Sequence, residues 1–338
     1  MRVGIIGGGN ISDTHARAAQ AIEGLTVDAV FGANAARSAS LAAKVGATPY
    51  DDFGRFLAHG LDLVIIGSPS GCHAEQGIAA ARKGLHVLVE KPIDVTTARV
   101  DAMLEEVDRA GVRLGVCFQD RLHPDINATK AFVDAGRLGK PVLASGHVKW
   151  YRPPEYYSGS RWRGIAALDG GGAVMNQAIH TVDLLLWIFG PVARVYAQAA
   201  TRLHSIEVED TAVAVLEFAS GAAGSLEATT SVYPGYPRRV ELTGTEGTIV
   251  IEHDRIIRSD MRSGGPGVVS TSEGDANASA SSPTVSDTRG HQRIIRDFVK
   301  AIETGGTPIC DGREGRRSVA LVEAIYKSAK TRQPVDLQ

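Results

Sequence analysis

This 338-residue chain has few cysteines, no long apolar run and no excess of charge of either sign. Its three cysteines, Cys72, Cys117 and Cys310, are widely spaced and odd in number, which predicts neither a disulfide framework nor a metal cluster. No apolar run approaches the ~20 residues of a membrane span. Lys and Arg number 36 against 38 Asp and Glu, so the net charge of −2 gives no reason to expect nucleic acid as a partner. Because apolar residues begin at Val3, we expect no signal peptide and a cytoplasmic protein.

Short apolar runs alternate with helical stretches up to residue 121. The runs are rich in Val, Ile and Leu, end at Gly, Pro or Asp, and cover residues 3–6, 27–31, 63–66, 86–89 and 114–118. Continuous apolar runs are typical of strands buried on both faces of a parallel sheet. The alternation therefore predicts a doubly wound α/β domain over residues 1–121.

The pattern changes in residues 122–338, where the five strands predicted between residues 193 and 251 follow one another without intervening helices. Strands are predicted at 142–150, 193–201, 211–218, 223–231, 239–242 and 248–251, with helices at 126–134, 173–188, 292–302 and 314–330. Consecutive strands with short links predict an open, mainly antiparallel sheet in an α+β domain. Residues 262–286, rich in Ser, Gly, Ala and Thr, are predicted to form a long mobile surface loop.

A glycine-rich turn follows the first predicted strand and opens the first helix. In Gly7-Gly8-Gly9-Asn10-Ile11-Ser12, Gly7 permits a tight turn, Gly9 lets a diphosphate approach the helix N-terminus, and Ser12 is small enough for close packing. This context predicts a Rossmann dinucleotide site. The second strand ends at Gly32 without the carboxylate that reads the ribose of NAD, and Arg37 follows it, which favours NADP. The alternative, that Arg37 only lies on a solvated helix surface, remains open.

Two further motifs carry polar side chains suited to proton transfer. Glu90-Lys91-Pro92 ends the fourth strand, where α/β sheets place their ligands, and we expect a cis peptide bond at Lys91-Pro92. After three glycines, Asn176 and His180 are four residues apart and share a helical face, with Asp183 in reach to hold the tautomer of His180. The alternatives are a core histidine or a metal site, but no third ligand is evident, so no metal is predicted.

Together these residues resemble the glucose–fructose oxidoreductase/inositol dehydrogenase (Gfo/Idh/MocA) family over nearly the whole chain. The matching segments are Gly7 to Ser12, Gly67-Ser68-Pro69 with His73, Glu90-Lys91-Pro92, Gly170 to Gly172 with His180 and Asp183, and Asp311 to Arg316. The resemblance implies catalytic roles for Lys91 and His180, and Asn176 is expected to join them by orienting the substrate hydroxyl. It implies cofactor binding by Gly7, Gly9, Asn10, Ile11, Ser12, Arg37, Ser68, Pro69, His73, Glu90 and Lys91. The family usually has Asp where this chain has Asn176, a departure that puts a carboxylate-assisted proton relay in doubt.

Aromatic and basic side chains are concentrated in residues 150–157, in Trp162-Arg163 and beside Met175-Asn176-Gln177. Together these segments resemble a subgroup near the nucleotide-sugar uronate 3-dehydrogenases. Aromatic rings suit the apolar faces of sugars, and Arg161 or Arg163 would hold a carboxylate or phosphate. The expected substrate-binding residues are Lys91, Trp150, Arg152, Trp162, Arg163, Asn176 and His180. The alternative is a structural aromatic corner over the sheet.

The sequence therefore predicts an NAD(P)-dependent dehydrogenase of a sugar, cyclitol or sugar acid. One rival is a glycoside-cleaving enzyme that oxidises the sugar transiently and shows no net cofactor turnover. The other is a non-catalytic sensor of dinucleotide or sugar. A sheet covered on one face also predicts a homodimer or homotetramer, to which Val213, Val215, Leu226 and Ala228 are expected to contribute.

Overall fold

The computed structural model describes residues 1–271 and 287–337. Its contacts group the chain into two units, one of residues 1–119 with 284–316 and one of residues 120–283 with 317–338. The helix at Arg289–Thr304 thus belongs with the N-terminal unit, whereas the sequence was divided once, after residue 121. The assignment of cofactor binding to residues 1–121 and of substrate binding to residues 122–338 stays a prediction.

The first unit is built on a six-stranded parallel sheet of order β3-β2-β1-β4-β5-β6. Its strands are β1 (Arg2–Ile6), β2 (Thr26–Phe31), β3 (Thr48–Tyr50), β4 (Leu63–Ile66), β5 (His86–Val89) and β6 (Leu114–Val116). Its helices are α1 (Asn10–Gln20), α2 (Ala35–Val45), α3 (Phe53–Leu57), α4 (His73–Ala81), α5 (Thr97–Ala110) and α10 (Arg289–Thr304). This confirms the doubly wound α/β prediction.

The site-bearing edge of this sheet follows from its strand order. β4 is buried at every position, as its unbroken apolar run predicts. Side chains of Asn34, Asp52 and Thr96 cap α2, α3 and α5 by accepting backbone N–H groups. The chain order reverses between β1 and β4, and ligands of such sheets bind beyond the carboxyl ends of the strands at that point. The segments after β1 and β4 therefore form the candidate cofactor edge.

The second unit is built on an eight-stranded sheet of order β13-β12-β11-β7-β10-β9-β8-β14. Its strands are β7 (Pro141–Lys149), β8 (Val192–Ala200), β9 (Thr211–Phe218), β10 (Ala223–Thr229), β11 (Arg239–Gly244), β12 (Gly247–Glu252), β13 (Arg255–Met261) and β14 (Val335–Asp336). Its helices are α6 (Pro124–Asp134), α7 (Glu155–Ser158), α8 (Ala166–Asp169) and α9 (Ile179–Phe189), and α11 (Gly312–Thr331) begins in the first unit and ends in this one. The strand pairs are antiparallel except β7 with β10, which confirms the mainly antiparallel prediction.

The two faces of this sheet differ in exposure. Leu226 and Ala228 are 2% and 1% exposed and belong to the buried face, so the expectation that they contribute to a face open to a partner is corrected. Val213 and Val215 are 49% and 59% exposed on the opposite face. The reason is that successive side chains of a strand point to opposite faces of the sheet. Glu227 is paired with the exposed Val213, whereas its neighbours Leu226 and Ala228 are paired with buried alanines of β9 on the other face.

Most of the expected 262–286 loop lies outside the described residues, and its described part, residues 262–271, follows β13 without regular structure. Among the described residues, no helix combines the length and apolar character that a membrane crossing requires.

Candidate functional site

The glycine turn after β1 is tight enough to exclude side chains. Gly7 has φ +125°, a conformation that L side chains rarely adopt, and its N–H donates to the Phe31 carbonyl at 2.7 Å. A Cβ at Gly7 would lie 2.4 Å from Ser12 Oγ and 2.7 Å from the Gly67 carbonyl oxygen. The end of β1, the start of α1 and the segment after β4 therefore pack together only because residue 7 is glycine.

Gly9 faces open space at the start of α1. A Cβ there would meet nothing within 4 Å, and no side chain caps the helix, which begins at Asn10. Backbone N–H groups of Asn10, Ile11 and Ser12 in the first turn therefore lack helical partners, as at any helix N-terminus. An uncapped N-terminus behind an unfilled glycine cradle fits a dinucleotide diphosphate.

The ribose-reading position carries no carboxylate. β2 ends at Phe31 and is followed by the buried Gly32. A Cβ on Gly8 would lie 3.1 Å from Arg37 Cβ, so the exposed Arg37 at the start of α2 adjoins the glycine turn. Positive charge, without an opposing carboxylate, borders this part of the site.

The segment after β4 is joined to the Glu-Lys-Pro turn by His73. The buried ring of His73 places Nδ1 2.9 Å from the Pro92 carbonyl and Nε2 3.0 Å from the Ser68 carbonyl. Ser68 Oγ donates to Gln76 Oε1 at 2.6 Å, and Pro69 begins the following turn. His73 therefore ties two loops together, and cofactor binding by Ser68, Pro69 and His73 stays a prediction.

Glu90 is a buried carboxylate beside Lys91. The Lys91-Pro92 bond is cis, as expected. His15 Nε2 lies 2.7 Å from Glu90 Oε1, and the Lys91 backbone N–H donates to Glu90 Oε2 at 3.1 Å. Burial would raise the pKa of Glu90, but the His15 hydrogen bond and the charges of His15, His291 and Lys91 lower it to about 2. Glu90 therefore keeps a negative charge next to the proposed catalytic lysine.

Glu90, His15 and His291 also form a compact group of three potential ligands. One ligand atom from each lies within 4.8 Å of the others, and all three residues are buried. A 2.7 Å hydrogen bond between His15 and Glu90 already satisfies both atoms without a cation. The prediction of no metal stays a prediction.

In the second unit, a glycine segment leads into a π-helical turn, Ala173–Ala178, that continues into α9. Glu209 accepts the N–H groups of Gly172 and Val174 at 2.9 and 2.8 Å, and Tyr326 donates its hydroxyl to Glu209 at 2.9 Å. A Cβ at Gly172 would lie 1.8 Å from the Glu209 carbonyl oxygen. Glycine thus lets Glu209 cap this turn in the way an N-cap residue caps a helix.

Asn176 and His180 stand out on this turn by their exposure. Within residues 171–180 they are the two that are not buried. A π-turn adds a residue to the helical cycle and is frequent at functional sites. The open face carries one amide and one imidazole, as the four-residue spacing predicts.

A hydrogen-bonded chain of side chains fixes Asn176. Its Nδ2 donates to Asp169, and its Oδ1 accepts from Gln177 Nε2 at 2.8 Å. Gln177 Oε1 accepts from Arg152 Nη2 at 2.8 Å, and Gln177 Nε2 lies 2.9 Å from the Tyr156 hydroxyl. Arg152 is 2% exposed, so its guanidinium orients the amide of Gln177 from within the unit.

The expected aromatic and basic residues do form one group. The Arg152 guanidinium lies over the Trp150 ring at 4.9 Å, and that of Arg163 lies over Tyr156 and Trp162 at 4.3 and 5.1 Å. Trp150 is buried, whereas Arg163 and Trp162 are half-buried. Arg163 Nε is buried and has no hydrogen-bond partner among the described residues.

The carboxylate beside His180 is not the expected one. His180 Nδ1 lies 3.3 Å from Asp120 Oδ2. Asp183 instead accepts two hydrogen bonds from Arg121, at 2.8 and 2.6 Å. The expectation that Asp183 holds His180 is therefore corrected. Asp120 belongs to none of the sequence motifs, and the signal that it offers is a carboxylate just after β6.

The sequence-predicted residues divide between the two units. The first unit brings together the glycine turn, Arg37, the Ser68 to His73 segment and Glu90 with Lys91. The second unit joins Asn176 to Arg152 through Gln177 and places Trp150, Trp162 and Arg163 around them. The roles assigned to these residues stay predictions.

Comparison with known proteins supports both units. A family model for the oxidoreductase family with an NAD-binding Rossmann fold matches residues 1–118. A model for the GFO/IDH/MocA C-terminal domain matches residues 126–250. Together they span more than half of the chain and agree with the sequence resemblance.

Individual relatives are dehydrogenases of cyclitols and sugars. Myo-inositol 2-dehydrogenase of Thermotoga maritima is 27% identical, covering 100% of this chain and 99% of its own. D-xylose 1-dehydrogenase (NADP(+)) 2 of Haloferax volcanii is 30% identical over 91% of both chains. The WlbA dehydrogenase of Bordetella pertussis, solved with NADH and UDP-GlcNAcA, is 34% identical, has a TM-score of 0.89 and covers 100% of this chain and 99% of its own.

These matches confirm the predicted activity at the level of reaction class. The protein is an NAD(P)-dependent oxidoreductase that transfers hydride at a sugar or cyclitol hydroxyl carbon. The motifs that carried the resemblance lie in the two matched regions and in the late Asp311 to Arg316 segment. The chain belongs to the Gfo/Idh/MocA family of oxidoreductases.

Proposed function

We propose that the chain oxidises a ring hydroxyl of a carboxylated, nucleotide-linked sugar. The observation that carries this is Arg163, whose guanidinium stacks on two aromatic rings while its buried Nε has no partner among the described residues. Such a planar donor pairs well with a carboxylate or diphosphate, and the rings suit the apolar faces of a sugar. The WlbA relative bound to UDP-GlcNAcA supports the same class of substrate.

The proposed chemistry assigns one role at the substrate hydroxyl to each of three side chains. His180 Nε2 takes the hydroxyl proton, because its Nδ1 faces Asp120. Lys91 donates to the same oxygen and stabilises its developing negative charge. Asn176, held by Asp169 and Gln177, orients the hydroxyl. When bound, the nicotinamide supplies the acceptor for the hydride, and the protein supplies position and electrostatics.

The experiment that tests this is a substrate panel followed by nicotinamide absorbance. The panel compares UDP-GlcNAcA with the neutral UDP-GlcNAc, a free uronic acid and myo-inositol. We expect the highest kcat/KM for UDP-GlcNAcA. Arg163→Ala should raise its KM about tenfold or more, since a charged hydrogen bond is worth about 1.5–3 kcal/mol. The same rise in Arg161→Ala with an unchanged KM in Arg163→Ala would assign the anion to Arg161, the other candidate, instead. A preference for myo-inositol would refute the proposed substrate class, and release of the nucleotide without net absorbance change would favour glycoside cleavage.

For the cofactor we propose a preference for NADP. Gly32 offers no carboxylate to repel a 2′-phosphate, and Arg37 adjoins the glycine turn. Among the relatives, the xylose dehydrogenase is named for NADP and the WlbA structure holds NADH, so both cofactors occur.

Gly32→Asp should shift the preference from NADP to NAD. A new Cβ would lie 3.3 Å from Ser38 Cβ and 3.4 Å from the Gly8 nitrogen, which places a carboxylate beside the turn at modest cost. Repulsion between unit charges near a protein surface reaches about 1–4 kcal/mol, so we expect about tenfold or more in the ratio of kcat/KM values. Gly32→Asn adds the same Cβ without the charge. Tight NAD binding with undetectable NADP binding in the wild type would contradict this proposal.

We also propose a homodimer or homotetramer that buries the open sheet face. Leu143, Tyr196, Val213 and Val215 lie on this face and are 40–59% exposed. Exposed apolar side chains in one sheet face favour pairing with a second copy.

The double variant Val213→Glu/Val215→Glu should sediment as a monomer. Burial of these two carboxylates without partners would destabilise the assembly by more free energy than burial of the apolar face contributes. Leu203→Glu, which adds one charge at an exposed apolar residue outside the strands, should leave the assembly intact. A wild-type protein that sediments as a monomer at every concentration would exclude this assembly.

A cytoplasmic location is proposed from cysteine chemistry. Cys72 and Cys117 are free cysteines, and Cys117 is buried. Unpaired thiols are typical of reducing compartments. Measuring the protein in cell fractions tests this directly.

A further inference from the structure

His180 is connected through its second nitrogen to a buried chain of charged groups. Nδ1 lies 3.3 Å from Asp120 Oδ2, and Arg238 Nη1 donates to the same oxygen at 2.7 Å. Arg238 Nη2 in turn donates to Asp254. Asp120, Arg238 and Asp254 are 9%, 8% and 7% exposed, so solvent screens these charges weakly.

We propose that Asp120 is a positioning residue for the proton transfer at His180. With Oδ2 3.3 Å from Nδ1, its negative charge favours the tautomer that carries the proton on Nδ1 and leaves Nε2 as the basic atom, and it stabilises the imidazolium once Nε2 has taken the hydroxyl proton. The inference rests on the proposed role of His180. Asp120 itself touches no reacting atom and acts through the imidazole alone.

The charges around Asp120 keep it ionised, as this role requires. Burial would raise its pKa, but the charges of His180 and Arg238 and the Arg238 hydrogen bond lower the pKa well below the ordinary value, and His123 adds to the effect. Asp254 holds Arg238 from the far side. A carboxylate that stays charged can both orient and stabilise an imidazolium.

The position four residues before the histidine does not supply this carboxylate. It is occupied by Asn176, whose amide is engaged with Asp169 and Gln177. Asp183, on the helix of His180, is paired with Arg121. A carboxylate–imidazole pair is nevertheless formed, with its acid on the turn Gln119–Leu122.

Asp120→Asn should change both rate and pH profile. Without the carboxylate, we expect kcat to fall about 10²–10⁴-fold, because the tautomer is no longer fixed. The imidazolium also loses its anionic partner while Arg238 remains, so the pKa of His180 should fall by about one unit or more. A base must be unprotonated to act, so the rising limb of kcat/KM should move to lower pH.

Control variants separate this role from a structural one. Asp254→Asn loosens the far end of the chain and should leave the pH profile nearly unchanged. Asp120→Glu should restore part of the rate and the wild-type limb. A fall in kcat with an unmoved limb would reduce Asp120 to a structural residue, and wild-type kcat in Asp120→Asn would overturn the inference.

A direct titration of the His180 ring by NMR distinguishes this inference from the proposed function. If the pKa of His180 does not fall in Asp120→Asn, the inference fails whatever the activity. If that pKa falls but the rate profile does not follow it, Asp120 holds His180 and the role of His180 as base is wrong. Should Asp120→Asn not fold with Arg238 held by Asp254 alone, Asp120→Asn/Arg238→Gln removes both charges. If NMR shows the same tautomer population of His180 in that variant as in the wild type, the inference is overturned.

Discussion

Alanine at His180 or at Lys91 is expected to lower kcat by about 10²–10⁴-fold, the usual contribution of a general acid–base group. His180→Ala removes the atom proposed to take the hydroxyl proton. Lys91→Ala removes the donor proposed to stabilise the oxygen that loses it. Neither side chain forms part of the glycine turn, so binding of the dinucleotide should survive in both variants.

The measurement needs turnover and binding from the same preparations. Steady-state kinetics on a confirmed substrate gives kcat, and calorimetry with the dinucleotide gives the retained affinity. Lys83→Ala, at an exposed lysine after α4, is the matched control for Lys91 and should turn over normally. Near-wild-type kcat in either test variant would remove that residue from the mechanism.

The sequence was most informative where burial is uniform. The strands of the parallel sheet came from unbroken apolar runs such as β4, and their glycine ends marked the cofactor edge. It was silent on β3 and β13, which lie at the edges of their sheets. β3 has three residues with Pro49 in the middle, and β13 is largely polar, so neither carries an apolar period.

Spacing along a helix shows which side chains share a face but not which partners reach that face from elsewhere. The four-residue spacing of Asn176 and His180 predicts that they share a helical face, and they are the two residues of 171–180 that are not buried. Asp183 was assigned to His180 by the same rule, yet it pairs with Arg121, while Asp120 comes from 60 residues earlier. The sequence also predicts an ordinary helix where the structure has a π-turn. The N–H groups of Gly172 and Val174 at the start of this turn are capped by Glu209, which is distant in sequence.

Removing one partner of the Arg121–Asp183 pair should cause the largest loss of stability. Both side chains are 1–2% exposed, Arg121 also lies over the Trp187 ring, and Ser318 donates to Asp183 at 3.3 Å. Asp183→Ala or Arg121→Met leaves an uncompensated buried charge, which typically costs about 3–5 kcal/mol. Urea unfolding should therefore show a clearly lower midpoint for each variant.

The double variant Arg121→Met/Asp183→Leu separates charge from packing. With both charges gone and the space filled by apolar groups, we expect it to be more stable than either single variant. Arg194→Ala, from the exposed pair with Asp336, should hardly move the midpoint. The prediction is contradicted if Asp183→Ala has the same urea midpoint as the wild type. Asp183→Asn should also leave the pH limb of kcat/KM in place, because the carboxylate of Asp120 lies 3.3 Å from Nδ1 of His180 while that of Asp183 is paired with Arg121. A limb that moved as in Asp120→Asn would instead return the tautomer-holding role to Asp183.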